Sequence, residues 1–398
     1  MRVAVLVWRL GPYHHARLNA VGEPLFVIEA CASDSTYAWE KVEGSAHFTR
    51  ITLQDRDPVG RGEMRAFRDQ VFRALDKINP EVVAIPGWSF VDALSALAWC
   101  ISRRKPVIIM SDSTSGDAPR VSWKEAIKRH VVKLCSAAFA AGVPHKEYLE
   151  ILGMPTERIF LGYDVVENDY FSTQALRVKS DAAALRAKHK LPAHYFLASA
   201  RFVAKKNLPR LIEAFARYRN LAEGGEEGPW ELVLIGDGPL REELVMAGDS
   251  FQVSQWIHKT GFKQYADLPV YYGLADAFIH PSTTEQWGLV VNEAMASGLP
   301  VLVSNRCGCA PDLVQEGVNG FTFDPFDVEQ ITQRMLQLTR MPKPLLEEMG
   351  QASSRIIFHW GPERFAAGLN EAAACALAVG AQPSSWWDRL LLRALLIR

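Results

Sequence analysis

Glu285 and Glu293 stand with seven residues between them inside the stretch AFIHPSTTEQWGLVVNEAMASGLPVLV, Ala277 to Val303. An ionised carboxylate only accepts hydrogen bonds, so two of them suit the hydroxyls of a sugar and of a ribose. The residues between them supply the complementary chemistry. Gly288, Leu289 and Val290 open a segment of good helix formers, and the unpaired N–H groups and dipole of a helix start favour a phosphate. An apolar run ends at His280-Pro281, the helix stops at Gly298-Leu299-Pro300, and Val301 to Val303 is a second buried-type run. That order is a βαβ unit whose loop lies at the carboxyl end of a parallel strand, where open α/β sheets bind ligands.

Cations precede the two acids. Tyr195 to Ala200 reads as a strand, followed by Arg201 and then Lys205-Lys206-Asn207 before a helix beginning near Pro209. A pair of cations at such an entrance holds a diphosphate and neutralises charge that builds on a leaving group. Arg201 and Lys206 are that pair, with Lys205 the substitute if the register slips by one; the other reading is an exposed basic turn. ELVLIGDG, Glu231 to Gly238, is another strand, with Gly236 opening a Gly-Asp-Gly turn, and Ile257 to Phe262 a further strand ending in Gly261-Phe262.

In combination, Glu-x7-Glu with Gly-Leu between, Glu-Ala-Met-Ala-x-Gly-x-Pro after it, and Arg followed five residues on by Lys-Asn resemble the family 4 retaining glycosyltransferases. The resemblance is close over the second half and only general over the first. It implies an α/β GT-B fold, two Rossmann-like doubly wound domains facing a cleft, and sugar transfer with retention at the anomeric carbon. By the same resemblance Glu285 faces the donor sugar, Glu293 binds the ribose hydroxyls, Gly236 stands in the family's Gly-x-Gly, and Gly261 with Phe262 packs the nucleotide base. No metal is needed in that picture, and the substrate is a nucleotide diphosphate sugar, UDP- or GDP-linked. Gly11 falls where the family has a Gly-rich turn, without the doubled Gly and with a stiffening Pro12. Many relatives have a His near the sugar where this chain has Asp112, so that role does not carry over. Asp112 could accept a hydroxyl or, if desolvated, act as a base; otherwise it is an N-cap or part of a Ser/Asp-rich turn.

These motifs need a scaffold, and 398 residues exceed the size at which one core usually stops growing. Runs Val3 to Trp8, Leu25 to Ile28, Val82 to Ile85 and Val107 to Met110 alternate with helical stretches such as Glu63 to Ile78 and Val91 to Ser102, which predicts a parallel sheet wrapped by helices. The expected domains are 1–170, closed by GYDVVENDYF, and 185–360, with Ser172 to Lys190 as linker and first helix. The segment 362–398 is expected to return and pack on the first domain. Loops after the first-domain strands carry the acceptor candidates His14, His15 and Trp88. A helix-start histidine is otherwise simply solvated, and Trp88 is either a sugar-stacking ring or a core tryptophan.

Net charge is −1, from 44 basic and 45 acidic residues, which points away from nucleic acid. The N-terminal run breaks at Arg9 and Gly11-Pro12, unlike a signal peptide, and no apolar run reaches bilayer-crossing length. With six scattered cysteines, the expected compartment is cytoplasmic, possible contact with the inner face of the plasma membrane included. Two segments carry that membrane expectation: 123–133, a basic amphipathic helix or an ordinary surface helix, and 384–398, SSWWDRLLLRALLIR, an interfacial helix or a docked tail. Cys307-Gly-Cys309 lacks partners at zinc spacing, and the Asp-x-Asp at 55–57 is read as chance. The expected partners are a nucleotide sugar and a carbohydrate or lipid-linked acceptor, as in polysaccharide or glycolipid synthesis. Two rival readings of the same residues are a nucleotide-sugar epimerase and a non-catalytic sugar-nucleotide-binding subunit.

Overall fold

The computed structural model describes the whole chain except residues 23, 34–41, 43–45, 58–59, 223–227 and 397–398. It forms two compact units, Met1–Val165 with Pro362–Arg398, and Val166–Gly361.

The first unit is a seven-stranded parallel sheet of β1 (Val3–Val7), β2 (Leu25–Cys31), β3 (Thr49–Gln54), β4 (Val82–Pro86), β5 (Val107–Ser111), β6 (Ala137–Ala140) and β7 (Ile159–Leu161), in the order β3-β2-β1-β4-β5-β6-β7. VAVLV and VIIMS are buried at every position, as expected of parallel strands covered on both faces. Strands β3, β6 and β7 are not among the runs read as strands. β3 (TRITLQ) is a half-exposed edge with alternating polar residues, and β6 is four residues, three of them Ala, a strong helix former elsewhere.

The second unit has six parallel strands, β8 (Tyr195–Ser199), β9 (Glu231–Ile235), β10 (Ile257–Gly261), β11 (Ala277–His280), β12 (Val301–Ser304) and β13 (Gly320–Phe323), in the order β10-β9-β8-β11-β12-β13. Both orders reverse beside the first strand of the unit, between β1 and β4 and between β8 and β11, which is the doubly wound Rossmann pattern.

The boundary differs from the expected one. The second unit begins at Val166, and Ser172 to Lys190 holds most of its first helix, Asn168–Ser180, and a second, Ala182–His189, in place of a linker. Phe171 does not close the first unit. It is fully buried in the second, edge-on to Tyr265 and Tyr272 at 5.4 and 6.0 Å. The helix Pro362–Val379 belongs to the first unit, where Phe365 packs on Phe139 with ring centroids 5.2 Å apart.

Two glycines thought to make room for a ligand differ sharply in what the fold asks of them. Gly236 has φ +130°, and a Cβ there would lie 1.8 Å from the Ala200 carbonyl oxygen, so the turn after β9 closes on the loop carrying Arg201 only without a side chain. Gly11 has φ −96°, which any residue adopts, and a Cβ would meet only His14 Nδ1 at 4.0 Å. Gly236→Ala should therefore lower unfolding stability by about 3 kcal/mol or more in a urea titration, and Gly11→Ala by no more than about 0.5 kcal/mol. Equal losses would show that neither backbone is constrained as described.

Candidate active site

The loops after β8 and β11 meet at the switch point of the second unit. Thr283 N donates to Lys205 O at 2.8 Å, and Asn207 Nδ2 donates to Pro281 O at 3.1 Å and Pro325 O at 2.7 Å. Asn207 itself has φ +57°, a left-handed conformation that Asn tolerates better than most residues. Held this way, Lys206 Nζ bonds directly to Glu285 Oε2, and Lys205 Nζ lies 3.9 Å from Oε1.

Two more groups fix the carboxylate. His280 Nε2 is 3.3 Å from Glu285 Oε2, Ser282 Oγ donates to the same oxygen at 3.3 Å, and the two are 3.1 Å apart. Because a carboxylate oxygen only accepts, Nε2 is the protonated ring nitrogen here. Burial opposes charge on Glu285, but the His280 bond and the Lys206 and Lys205 charges outweigh it and hold the carboxyl well below its ordinary range. Burial lowers the affinity of His280 for a second proton, with Lys206 and Lys205 adding to it and Glu285 opposing. The site is therefore a charged carboxylate beside a neutral imidazole.

The backbone of Glu285 is pinned from the far side. Gly308 N donates to Glu285 O at 3.0 Å and Cys309 N to Trp287 O at 3.2 Å, so Cys307-Gly-Cys309 clamps this loop. Among the described residues, no group of three or more His, Cys, Asp or Glu could hold a metal. Gly288, at φ +106°, caps the helix Leu289–Ala296 without any side-chain bond, leaving the amides of Gly288, Leu289 and Val290 at its open end.

Glu293 lies within that helix and is fully buried, its Oε2 taking a 2.6 Å bond from Tyr272 Oη, which the Ser199 hydroxyl reaches in turn. Neither acid is a freely solvated one. Arg201 is exposed, and its side chain has no hydrogen bond or ion pair among the described residues. Gly236 N donates to Gly261 O at 3.0 Å, so these two glycines adjoin, and Phe262 beside them is 40% exposed. The cavity of about 400 Å³ beside the Lys206 turn is lined by Ala204, Asn207, Arg210, Glu213 and Leu240 among others, and not by Lys206 or Glu285. Sequence reasoning gives no role to His280, Ser282 or Tyr272, and quotes Asn207 only within the Lys-Asn motif. Only the His-Pro-Ser run just before Glu285 hints at two of them.

In the first unit, Arg17 is buried and bonds to Asp164 Oδ1 at 3.1 Å and to Tyr163 O at 2.8 Å. Asp112, partly enclosed near them, caps no helix, since the next helix begins at Ser122. Its loop is instead tied by Arg120, which pairs with Asp117 and donates to Ser115 O at 2.8 Å. Burial and the like charge of Asp164 push the Asp112 carboxyl up to about 7. His14 is half-buried, and burial plus the Arg17 charge hold it well below the ordinary value, as a neutral imidazole. His15 turns away to Phe48, ring centroids 5.9 Å apart, and to Asn19. Trp88 is half-buried against the core, with Lys128 Nζ 5.6 Å over its ring and Tyr148 edge-on at 6.1 Å, so it is a packed tryptophan and not an open platform.

Comparison with known proteins bears on the second unit most directly. Residues 181–355 match the family model described as "Glycosyl transferases group 1", and this segment belongs to that family. The chain is 32% identical over 147 residues to the alpha-monoglucosyldiacylglycerol synthase of Acholeplasma laidlawii, covering 37% of this chain and 35% of that one. It is 41% identical over 110 residues to the sulfoquinovosyl transferase SQD2 of Arabidopsis thaliana, covering 27% and 21%. It is also 30% identical over 145 residues to a GDP-mannose-dependent alpha-(1-6)-phosphatidylinositol monomannoside mannosyltransferase of Mycobacterium tuberculosis, covering 35% and 36%. The chain thus spans between about a fifth and a third of the length of these relatives. Among solved structures, Anabaena Alr3699/HepE in complex with UDP and glucose superposes with a TM-score of 0.73 at 16% identity, covering 94% of this chain and 99% of that one. WaaG, a glycosyltransferase involved in lipopolysaccharide biosynthesis, superposes with a TM-score of 0.65 at 16% identity, covering 92% and 98%. At such identities the likeness shows the fold, two Rossmann-like α/β domains of the GT-B class.

The raised Asp112 carboxyl has a thermodynamic signature. Its folded value of about 7 exceeds the unfolded value of about 3.9, so the folded state binds the extra proton between them. Its stabilising contribution is complete below about pH 4 and lost as the pH rises through 7. Asp112→Asn should match the parent protein in urea stability near pH 4 and exceed it by on the order of 2 kcal/mol near pH 8. A constant difference across that range would remove the desolvated-carboxyl account.

Proposed function

We infer that this chain is a family 4 retaining glycosyltransferase that moves a hexose from a nucleotide diphosphate sugar to a glycan, glycolipid or lipid-linked acceptor. The observation that carries the reading is the Lys206–Glu285 pair on two cross-bonded loops at the switch point, with Arg201, whose side chain has no partner among the described residues, on the same loop as Lys206. A diphosphate has two cations and a helix start to bind, and no metal is required for that neutralisation. Glu285 stays ionised to align the donor hydroxyls and to oppose positive charge at the anomeric carbon, while Glu293 accepts from the ribose. Phe262 and Gly261 take the base, which is uracil or guanine: one similar structure is named for UDP and one relative for GDP-mannose.

Two relatives are named for lipids that carry the sugar, diacylglycerol and phosphatidylinositol, which supports a lipid-linked acceptor here. The loops with Gly11, His14 and Asp112 are the acceptor side in this reading. The leaving phosphate takes the acceptor proton, and Asp112 orders the acceptor hydroxyl. The six free cysteines support a reducing compartment, hence action on the cytoplasmic face of a membrane.

The test is nucleoside diphosphate release from UDP- and GDP-hexoses with and without a lipid acceptor. Glu285→Gln leaves Lys206 with more charge for the diphosphate, so donor KM should hold or fall while kcat drops by about 10²–10³-fold. Lys206→Ala should weaken both. Sugar isomerisation with no acceptor-dependent release would favour the epimerase instead, and variants that alter donor affinity alone would take Glu285 out of the reaction centre.

A further inference from the structure

The helix Trp386–Leu396 belongs to the first unit and shows two faces of opposite character. One is docked. Leu392 is 2% exposed within the core, Leu395 and Leu396 pack beside it, and Asp388 pairs with His130 of the helix Ser122–Lys133. Burial works against charge on Asp388, but the Ser385 hydroxyl and amide and His130 overrule it and keep the carboxylate ionised. The helix is thus held in a fixed rotation by a buried leucine and a polar latch.

The other face points outward, where a docked helix ordinarily carries polar side chains. Here Trp386, Trp387 and Leu390 are 63%, 59% and 48% exposed, with the two indoles stacked 3.8 Å apart. At 100° per residue they share one stripe, and Arg389 and Arg393 run along its edge, both exposed and neither with a partner among the described residues. The helix's acid, Asp388, is turned inward, so this face has no negative charge of its own. Ile397 and Arg398, which extend the motif in the sequence, lie outside the described residues.

The neighbouring helix adds less than its sequence promises. Lys128 is taken up by Glu125 and the Tyr148 hydroxyl, each at 2.9 Å, and so is not a free surface cation. Trp123 remains 51% exposed with Lys124 Nζ 5.6 Å over its ring, and Arg129 is exposed. The His130–Asp388 contact makes this helix and the tail helix neighbours.

We propose that the docked tail helix is a membrane-contact element, which lays Trp386, Trp387 and Leu390 into the interface of an anionic bilayer and sets Arg389 and Arg393 on lipid phosphates. Indoles favour the headgroup level because they are apolar with one N–H, and free guanidiniums match phosphates in pairs of hydrogen bonds. A second copy of the chain is a poor occupant, since a two-fold contact through this face sets arginine against arginine. The inference deepens the lipid-linked acceptor but does not need it, because binding is measured with no sugar nucleotide present.

The experiment is sedimentation of the full chain with vesicles of phosphatidylglycerol and phosphatidylcholine, or of phosphatidylcholine alone. Binding to the anionic vesicles is expected, at least tenfold above the neutral ones and largely lost at about 1 M salt, where charges are screened within about 3 Å. The double variants Trp386→Ala/Trp387→Ala and Arg389→Gln/Arg393→Gln should each bind tenfold or more weakly, with unchanged thermal unfolding because all four side chains are exposed. Variants that bind like the parent protein would overturn the proposal. So would equal binding to neutral vesicles, or a tryptophan variant whose one change is in oligomeric state by light scattering. A chain that binds vesicles and transfers no sugar would refute the transferase reading alone.

Discussion

A carboxylate enclosed by protein needs compensation, and in the second unit the whole switch point is arranged around that need. Glu285 is largely enclosed and still ionised because Lys206, Lys205, His280 and Ser282 all face its two oxygens. Removing one member of such a set costs several kcal/mol, since the remaining charge stays buried and unpaired. The backbone bonds follow from the same demand. Asn207 ties the cation loop to Pro281 and Pro325, and Gly308 ties the acid loop to the segment after β12, so neither charge can drift from the other. In the proposed function a diphosphate draws on the same lysine, and His280 and Ser282 then remain as donors that keep the carboxylate aimed.

Lys206 and Glu285, which the structure brings together, are legible as candidates because their spacing sits in register with a strand, a helix start and a helix stop, all local signals. Their surroundings are not. Asn207 reaches across 118 residues to Pro325, and Tyr272 across 21 to Glu293, contacts made by the fold and by no periodicity. The same limit governs Trp88 and Lys128. Each looks available in the sequence, and each is used up by a residue far along the chain, Lys128 lying over Trp88 while it binds Tyr148. Strand β3 escaped because a half-exposed edge alternates polar and apolar residues, and β6 because alanine speaks for helix. The misplaced boundary has a similar cause: an aromatic run at 170–171 reads as an ending, yet Tyr170 stacks on Tyr265 with centroids 5.0 Å apart inside the second unit.

The two units repeat one topology with opposite charge balance. Around Glu285 there are two lysines and one carboxylate, so positive charge is in surplus and the acid is held ionised. Around Arg17 there are two carboxylates, Asp112 and Asp164, and the surplus is negative, so burial raises both acids despite the guanidinium, with the charge of Asp164 adding to the rise at Asp112. A site with spare cations invites an anion such as a diphosphate. One with a carboxyl poised near neutrality invites a hydroxyl, which can donate to it or accept from it according to its proton. Rossmann-like topology accounts for where both clusters lie, at the carboxyl ends of the strands, but not for their difference. That difference comes from which loop carries the lysines and which the aspartates, and it is the reason to assign the activated sugar to the second unit and the acceptor to the first.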